Sequence, residues 1–140
     1  MSANWGNSNV GDRESFNITI TRGMVTDFAS LTGDKNLLHA DRVFAQEKGF
    51  DDCVAHGMLL ASLFSRLVGM YFLGNDNMYL SQTAEFRKPV LVGDVVTVAG
   101  EITEKLESVS LLRIKTTITN AQGEIAVLGE AKVGDRHYGG

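Results

Sequence analysis

The chain has 140 residues, with 17 acidic against 13 basic side chains, a net charge of −4 and a pI of about 5.3. That length suits one domain with its own core, and the absence of any basic run argues against nucleic acid or an anionic membrane as a partner. A single cysteine, Cys53, excludes an internal disulfide and a cysteine metal cluster, and fits a reducing cytoplasm.

Residues 1–15 are polar, lack the apolar stretch of a secretory signal and read as a loose lead-in. The stretch ESFNITI, residues 14–20, alternates loosely as a first strand. Met24, Val25, Phe28 and Leu31 then fall at helical spacing, with Thr21 as N-cap and Gly33 as the stop. A polar bend follows, after which Asp41 caps a short helix, RVFAQEK, that Gly49 ends. From His56 or Gly57 a nearly all-apolar helix runs through residue 74. Its apolar part, Met58 to Leu73, carries Arg66 at its middle. A membrane span needs roughly 17 to 25 apolar residues and tolerates a central arginine poorly, so this helix is expected inside protein.

From residue 78 the period changes to two. In LLRIKTTIT, Leu112, Ile114, Thr116 and Ile118 share one face while Arg113, Lys115, Thr117 and Thr119 share the other. MYLSQTAEFRK, DVVTVAGEITEK and EIAVLGEAKV read the same way, punctuated by Pro89, Gly93-Asp94, Glu107-Ser108 and residues 120–123. Four consecutive strands with short connections predict an antiparallel meander. The expected fold is α+β: one domain over residues 16–134, a five-stranded antiparallel sheet wrapped around the long central helix, and a tail at 135–140.

The bend places an acid, Asp34, five positions before a base, His39, and the central helix opens on Gly57 with unpaired N–H groups at its start. Such a pair can hold one water and share its protons. Which of the two is the formal base stays open at this point. Asn36 between them either orients a carboxylate or is an Asx-turn residue. Ser65 either reaches the cavity or bonds the carbonyl one turn back. His56 suits a structural or capping role, and His137 sits in an exposed-looking tail. Met58, Leu59, Phe64, Val68 and Met70 are core residues by pattern, some of which could line an acyl tunnel.

Phe28, Leu31-Thr32-Gly33-Asp34, Asn36, His39 and Ala45 stand at the offsets of a hydratase signature, followed by AHGM (Ala55 to Met58) and FRKPVLVGD (Phe86 to Asp94). From about Phe16 to Val133 the chain thus resembles the MaoC-like (R)-specific enoyl-CoA hydratases, which have the hotdog fold. The family usually has proline where this chain has Leu37, and often where it has Cys53, so both loops are expected to be less preorganised.

The resemblance implies reversible syn hydration of a trans-2-enoyl-CoA to an (R)-3-hydroxyacyl-CoA. It makes Asp34 and His39 catalytic, gives the backbone N–H of Gly57 the oxyanion role, and leaves Asn36 and Ser65 as supporting residues. It implies no metal and no cofactor beyond the coenzyme A thioester, an acyl-CoA or acyl-carrier-protein substrate, and a homodimer. Arg87, Lys88 and Arg113 are either partners for coenzyme A phosphates or solvated strand charges. A hotdog acyl-CoA thioesterase, a 3-hydroxyacyl-carrier-protein dehydratase and a non-catalytic acyl-binding subunit are the alternatives.

Overall fold

The computed structural model describes residues 5–72 and 77–135. The tail with His137 and the far end of the expected central helix, Leu73 and Gly74, lie outside the described residues. Among those described, strands β1 (Arg13–Thr19), β2 (Asn77–Gln82), β3 (Glu85–Phe86), β4 (Val95–Leu106), β5 (Leu111–Thr119) and β6 (Ile125–Asp135) form a single antiparallel sheet. Helices α1 (Arg22–Thr32), α2 (Leu37–Ala40), α3 (Arg42–Glu47) and α4 (Gly57–Leu67) occupy the stretch between β1 and β2, and a π-helical turn, Val68–Phe72, extends α4.

The sheet wraps around α4 as the apolar sequence requires. Leu59, Leu60, Leu63, Phe64 and Leu67 are buried on α4, against Val96, Val98 and Ile102 of β4, Leu112, Ile114 and Ile118 of β5, and Val127, Ala131 and Val133 of β6. Gly100 lets the helix come close: a Cβ there would lie 2.9 Å from Phe72 and 3.0 Å from Leu67. Arg66 does not enter this core. It projects over the ring of Phe16 at 4.1 Å, and Phe16 stacks on Tyr71 at 5.4 Å, so its charge stays near water while its stem covers apolar surface.

Three sequence expectations need correction. Met58 and Met70, core residues by pattern, are exposed. The stretch 78–88 is not one strand: Thr83 breaks it into β2 and β3, both paired with β6. The chain bends in so tightly there that a Cβ on Gly129 would lie 2.0 Å from the Thr83 carbonyl. Thr83 then bonds Glu130 through both its N–H and its hydroxyl. The four-strand meander is also incomplete. β4, β5 and β6 do follow one another, but the sheet order is β1-β4-β5-β6-β2, with β1 beside β4 and β2 on the far side of β6.

The segment between β3 and β4 does not turn back on itself. It pairs with the loop that leads into α4: Ala55 N–H donates to the Val90 carbonyl at 2.8 Å and Val92 N–H to the Cys53 carbonyl at 2.9 Å. Pro89, without an N–H of its own, suits a connection that is not part of a sheet ladder. This pairing brings residues 86–90 alongside residues 54–57, and the candidate site lies between them.

Candidate active site

Each helix end before the site is closed as its residues dictate. Thr21 caps α1, accepting from Met24 N–H at 3.1 Å, and Gly33 ends that helix with φ of 82°, the left-handed region. The chain can then turn sharply into Asp34. Asn36 Oδ1 accepts from Leu38 N–H at 3.0 Å and so caps the single turn of α2, which carries His39. The Asx reading of Asn36 therefore describes its side chain, while its backbone N–H donates to Asp34 Oδ1 at 3.3 Å and helps hold that carboxylate. Asp41 caps α3 by accepting from Phe44 N–H at 3.0 Å, as expected.

Asp34 is exposed and His39 half-buried, and the ligating atoms of Asp34, His39 and His56 all lie within 4.8 Å of one another. His39 Nδ1 is 2.6 Å from the Val54 carbonyl oxygen. That oxygen can only accept, so Nδ1 carries the proton and the neutral ring keeps a lone pair on Nε2. The imidazole is thereby set to accept a proton at Nε2. The two imidazoles of the cluster stack at 3.9 Å and 26°.

A groove of about 330 Å³ runs past His39, Val54, Gly57, Leu60, Phe86 and Val90. Gly57 opens α4, whose first-turn N–H groups have no intrahelical partner and receive no side-chain cap from His56. The helix dipole adds to the positive potential at that end. Phe86 lies directly over Gly57, so that a Cβ there would sit 3.0 Å from two of its ring carbons. Arg87 and Lys88 border the same groove, paired with Glu85 at 3.1 Å and Glu124 at 2.9 Å. Arg113 lies elsewhere, on β5, held by Glu104 and Glu130.

The loop before α4 is tied back to α1. Arg22 donates twice to Asp52 at 2.8 Å, with Arg42 3.8 Å away, and the Arg22 guanidinium holds the Asp52 carboxyl below its ordinary range. Cys53 beside it is buried, within 3.8 Å of the same guanidinium.

The model of the MaoC-like domain matches residues 8–123. The chain belongs to the MaoC-like family. This MaoC-like chain is 40% identical over 124 residues to the (R)-specific enoyl-CoA hydratase of Aeromonas caviae, covering 89% of this chain and 92% of that protein. It is 36% identical to the 3-hydroxybutyryl-CoA dehydratase of Methylorubrum extorquens, covering 89% and 78%. In three dimensions it matches an unliganded R-hydratase from Pseudomonas aeruginosa with a TM-score of 0.91 at 31% identity, covering 96% and 86% of the two chains. The α+β hotdog architecture expected from the sequence is therefore correct.

Of the residues singled out in this MaoC-like chain, Asp34 clusters with His39, and His39 and Gly57 line the groove, whose lining does not include Asp34; Asn36 supports the bend. Ser65 is exposed on α4, outside the groove lining. One neighbour of Gly57 escaped the sequence reading. Phe86 was visible only as part of FRKPVLVGD, without a signal that it would cover Gly57. His56, expected to be structural or a cap, makes no cap bond; its ring is buried and stacks on His39.

Proposed function

We propose that this chain is an (R)-specific enoyl-CoA hydratase, a hydro-lyase that adds water reversibly and syn across a trans-2-enoyl-CoA to give an (R)-3-hydroxyacyl-CoA. The observation that carries the site assignment is the Val54 carbonyl bond to His39 Nδ1, which leaves Nε2 as the acceptor of a ring that shares a cluster with the Asp34 carboxylate. The two groups hold one water. Its O–H bond breaks as oxygen attacks C3, and the proton passes to the pair. Charge moving onto the thioester oxygen is met by the Gly57 N–H and the end of α4. The proton then returns to C2 from the same side, which accounts for syn addition.

Running the steps backwards dehydrates a 3-hydroxyacyl thioester, the direction named for the Methylorubrum relative. The phosphates of the thioester carrier, coenzyme A or acyl-carrier protein, meet Arg87 and Lys88 at the groove's edge. The reaction draws on no cofactor beyond that carrier. The working form is a homodimer, and the buried unpaired Cys53 suits a cytoplasmic location.

The test is the loss of enone absorbance when purified protein meets crotonyl-CoA and longer enoyl-CoAs, with chiral analysis of the product. The Asp34→Asn variant should be slower by about 10²- to 10⁴-fold. Equal rates in the two proteins overturn the site assignment. Release of free thiol in place of hydration indicates the thioesterase, and tight acyl-CoA binding with neither product indicates a non-catalytic subunit.

A further inference from the structure

We propose that His56 is a positioning residue for the proton-handling pair, acting on Asp34 through a hydrogen bond and on His39 through the face of its ring. The proposal rests on the hydratase reading and goes beyond it by assigning a role to a buried histidine that the mechanism above does not use.

His56 is 2% exposed, and its ring lies between two others: Phe28 at 4.8 Å, tilted by 53°, and His39 at 3.9 Å, nearly parallel. Its Nε2 is 3.0 Å from the backbone carbonyl oxygen of Asp34. That oxygen only accepts, so the proton of the neutral ring sits on Nε2. Its Nδ1 is buried and has no hydrogen-bond partner. Moving the proton to Nδ1 would break the bond to Asp34 and gain no acceptor, so one tautomer is fixed.

An apolar ring at this position would fill the same space between Phe28 and His39 without burying an orphaned lone pair, which is a cost to the fold. What the histidine adds is the tether. Through it, residue 56 holds the Asp34 backbone against the start of α4, and the next residue in the chain is Gly57. One side chain therefore sets the spacing between the carboxylate, the imidazole and the helix end. The stack does a second job. It limits rotation of His39, keeping Nδ1 on the Val54 carbonyl and Nε2 toward the groove. When His39 takes a proton, the cation that forms lies over the π-face of the His56 ring.

Three variants of the full chain separate these effects. His56→Phe keeps the flat face and loses the donor, His56→Gln keeps a donor and loses the ring, and His56→Leu loses both. Long-range ¹H–¹⁵N imidazole spectra report the His39 tautomer independently of turnover. We expect His39 to show only the Nδ1–H form in the parent and in His56→Phe, and a mixture in His56→Gln and His56→Leu. Hydration kinetics should show kcat reduced on the order of 10- to 100-fold in the Phe and Gln variants with KM within about twofold, and a larger loss in His56→Leu.

Thermal melts identify any variant that fails to fold, and the remaining variants still decide the matter. The proposal is overturned if folded variants keep kcat within about twofold of the parent, or if the His39 tautomer is the same in all four proteins. A parent protein with the expected spectra and no hydratase activity would count against the hydratase reading while leaving the positioning geometry intact.

Discussion

Gly57 has space for little more than hydrogen. A methyl group there meets three carbons of the Phe86 ring at 3.0–3.1 Å, and since Phe86 is half-exposed the ring can move, at the expense of the groove it roofs. Gly57→Ala should therefore fold and lose kcat/KM by about 10²-fold, because the reacting carbonyl no longer sits squarely under the helix start. Phe86→Ala in the same chain should recover part of that loss. Enoyl-CoA hydration rates for the two single variants and the double variant check this, and a double variant no faster than Gly57→Ala alone would show that the ring contact is not the cause. At this scale the nearness of Asp34 to His39 was legible because both lie in one short bend of the chain. Phe86 and the stacked His56 were not, since each acts on a partner brought close by tertiary structure.

Among the elements, α2 shows what the substitution of the usual proline by Leu37 does. Leu37 is the first residue of a single helical turn, and its side chain is exposed. Its N–H is one of the leading donors that a helix does not use. Asn36 before it has φ −53° and ψ 136°, the extended state that a following proline favours. Leu37→Pro thus loses no bond and narrows the unfolded ensemble, and it should stabilise the protein by about 0.4–1 kcal/mol. Urea unfolding midpoints test this, with a lower midpoint as the contrary result. The caps at Thr21 and Asp41, the stop at Gly33 and the alternation of β5 were readable because they depend on near neighbours in sequence. The single turn of α2 passed unnoticed for its brevity. The break between β2 and β3 was hidden because its cause, Gly129, lies more than forty positions away.

For the molecule as a whole, period-two patterning announced strands but could not order them, because order is decided by pairing between distant segments. The observed order leaves β1 and β2 at the sheet's two edges. β1 carries the charged pair Arg13 and Glu14, whereas β2 exposes Met78 and Tyr79. An open edge with exposed apolar side chains invites pairing with a second copy, so β2 is the edge expected to join the proposed homodimer. Light scattering should give about twice the 15.2 kDa chain mass, and Met78→Lys should shift the population toward the monomer. A parent mass of one chain would overturn the dimer.

The partnership of β1 with β4 also bears on the order in which the protein can be assembled as it is synthesised. Arg13 meets Glu101, 88 positions along the chain, and the groove-lining residues named above all precede β4, while β5, its neighbour in the sheet, and β6 beyond that come later still. A ribosome delivers Asp34, His39 and Gly57 well before the sheet that buries α4 has emerged. The loop that carries Asp34 and His39 is therefore written early and set late.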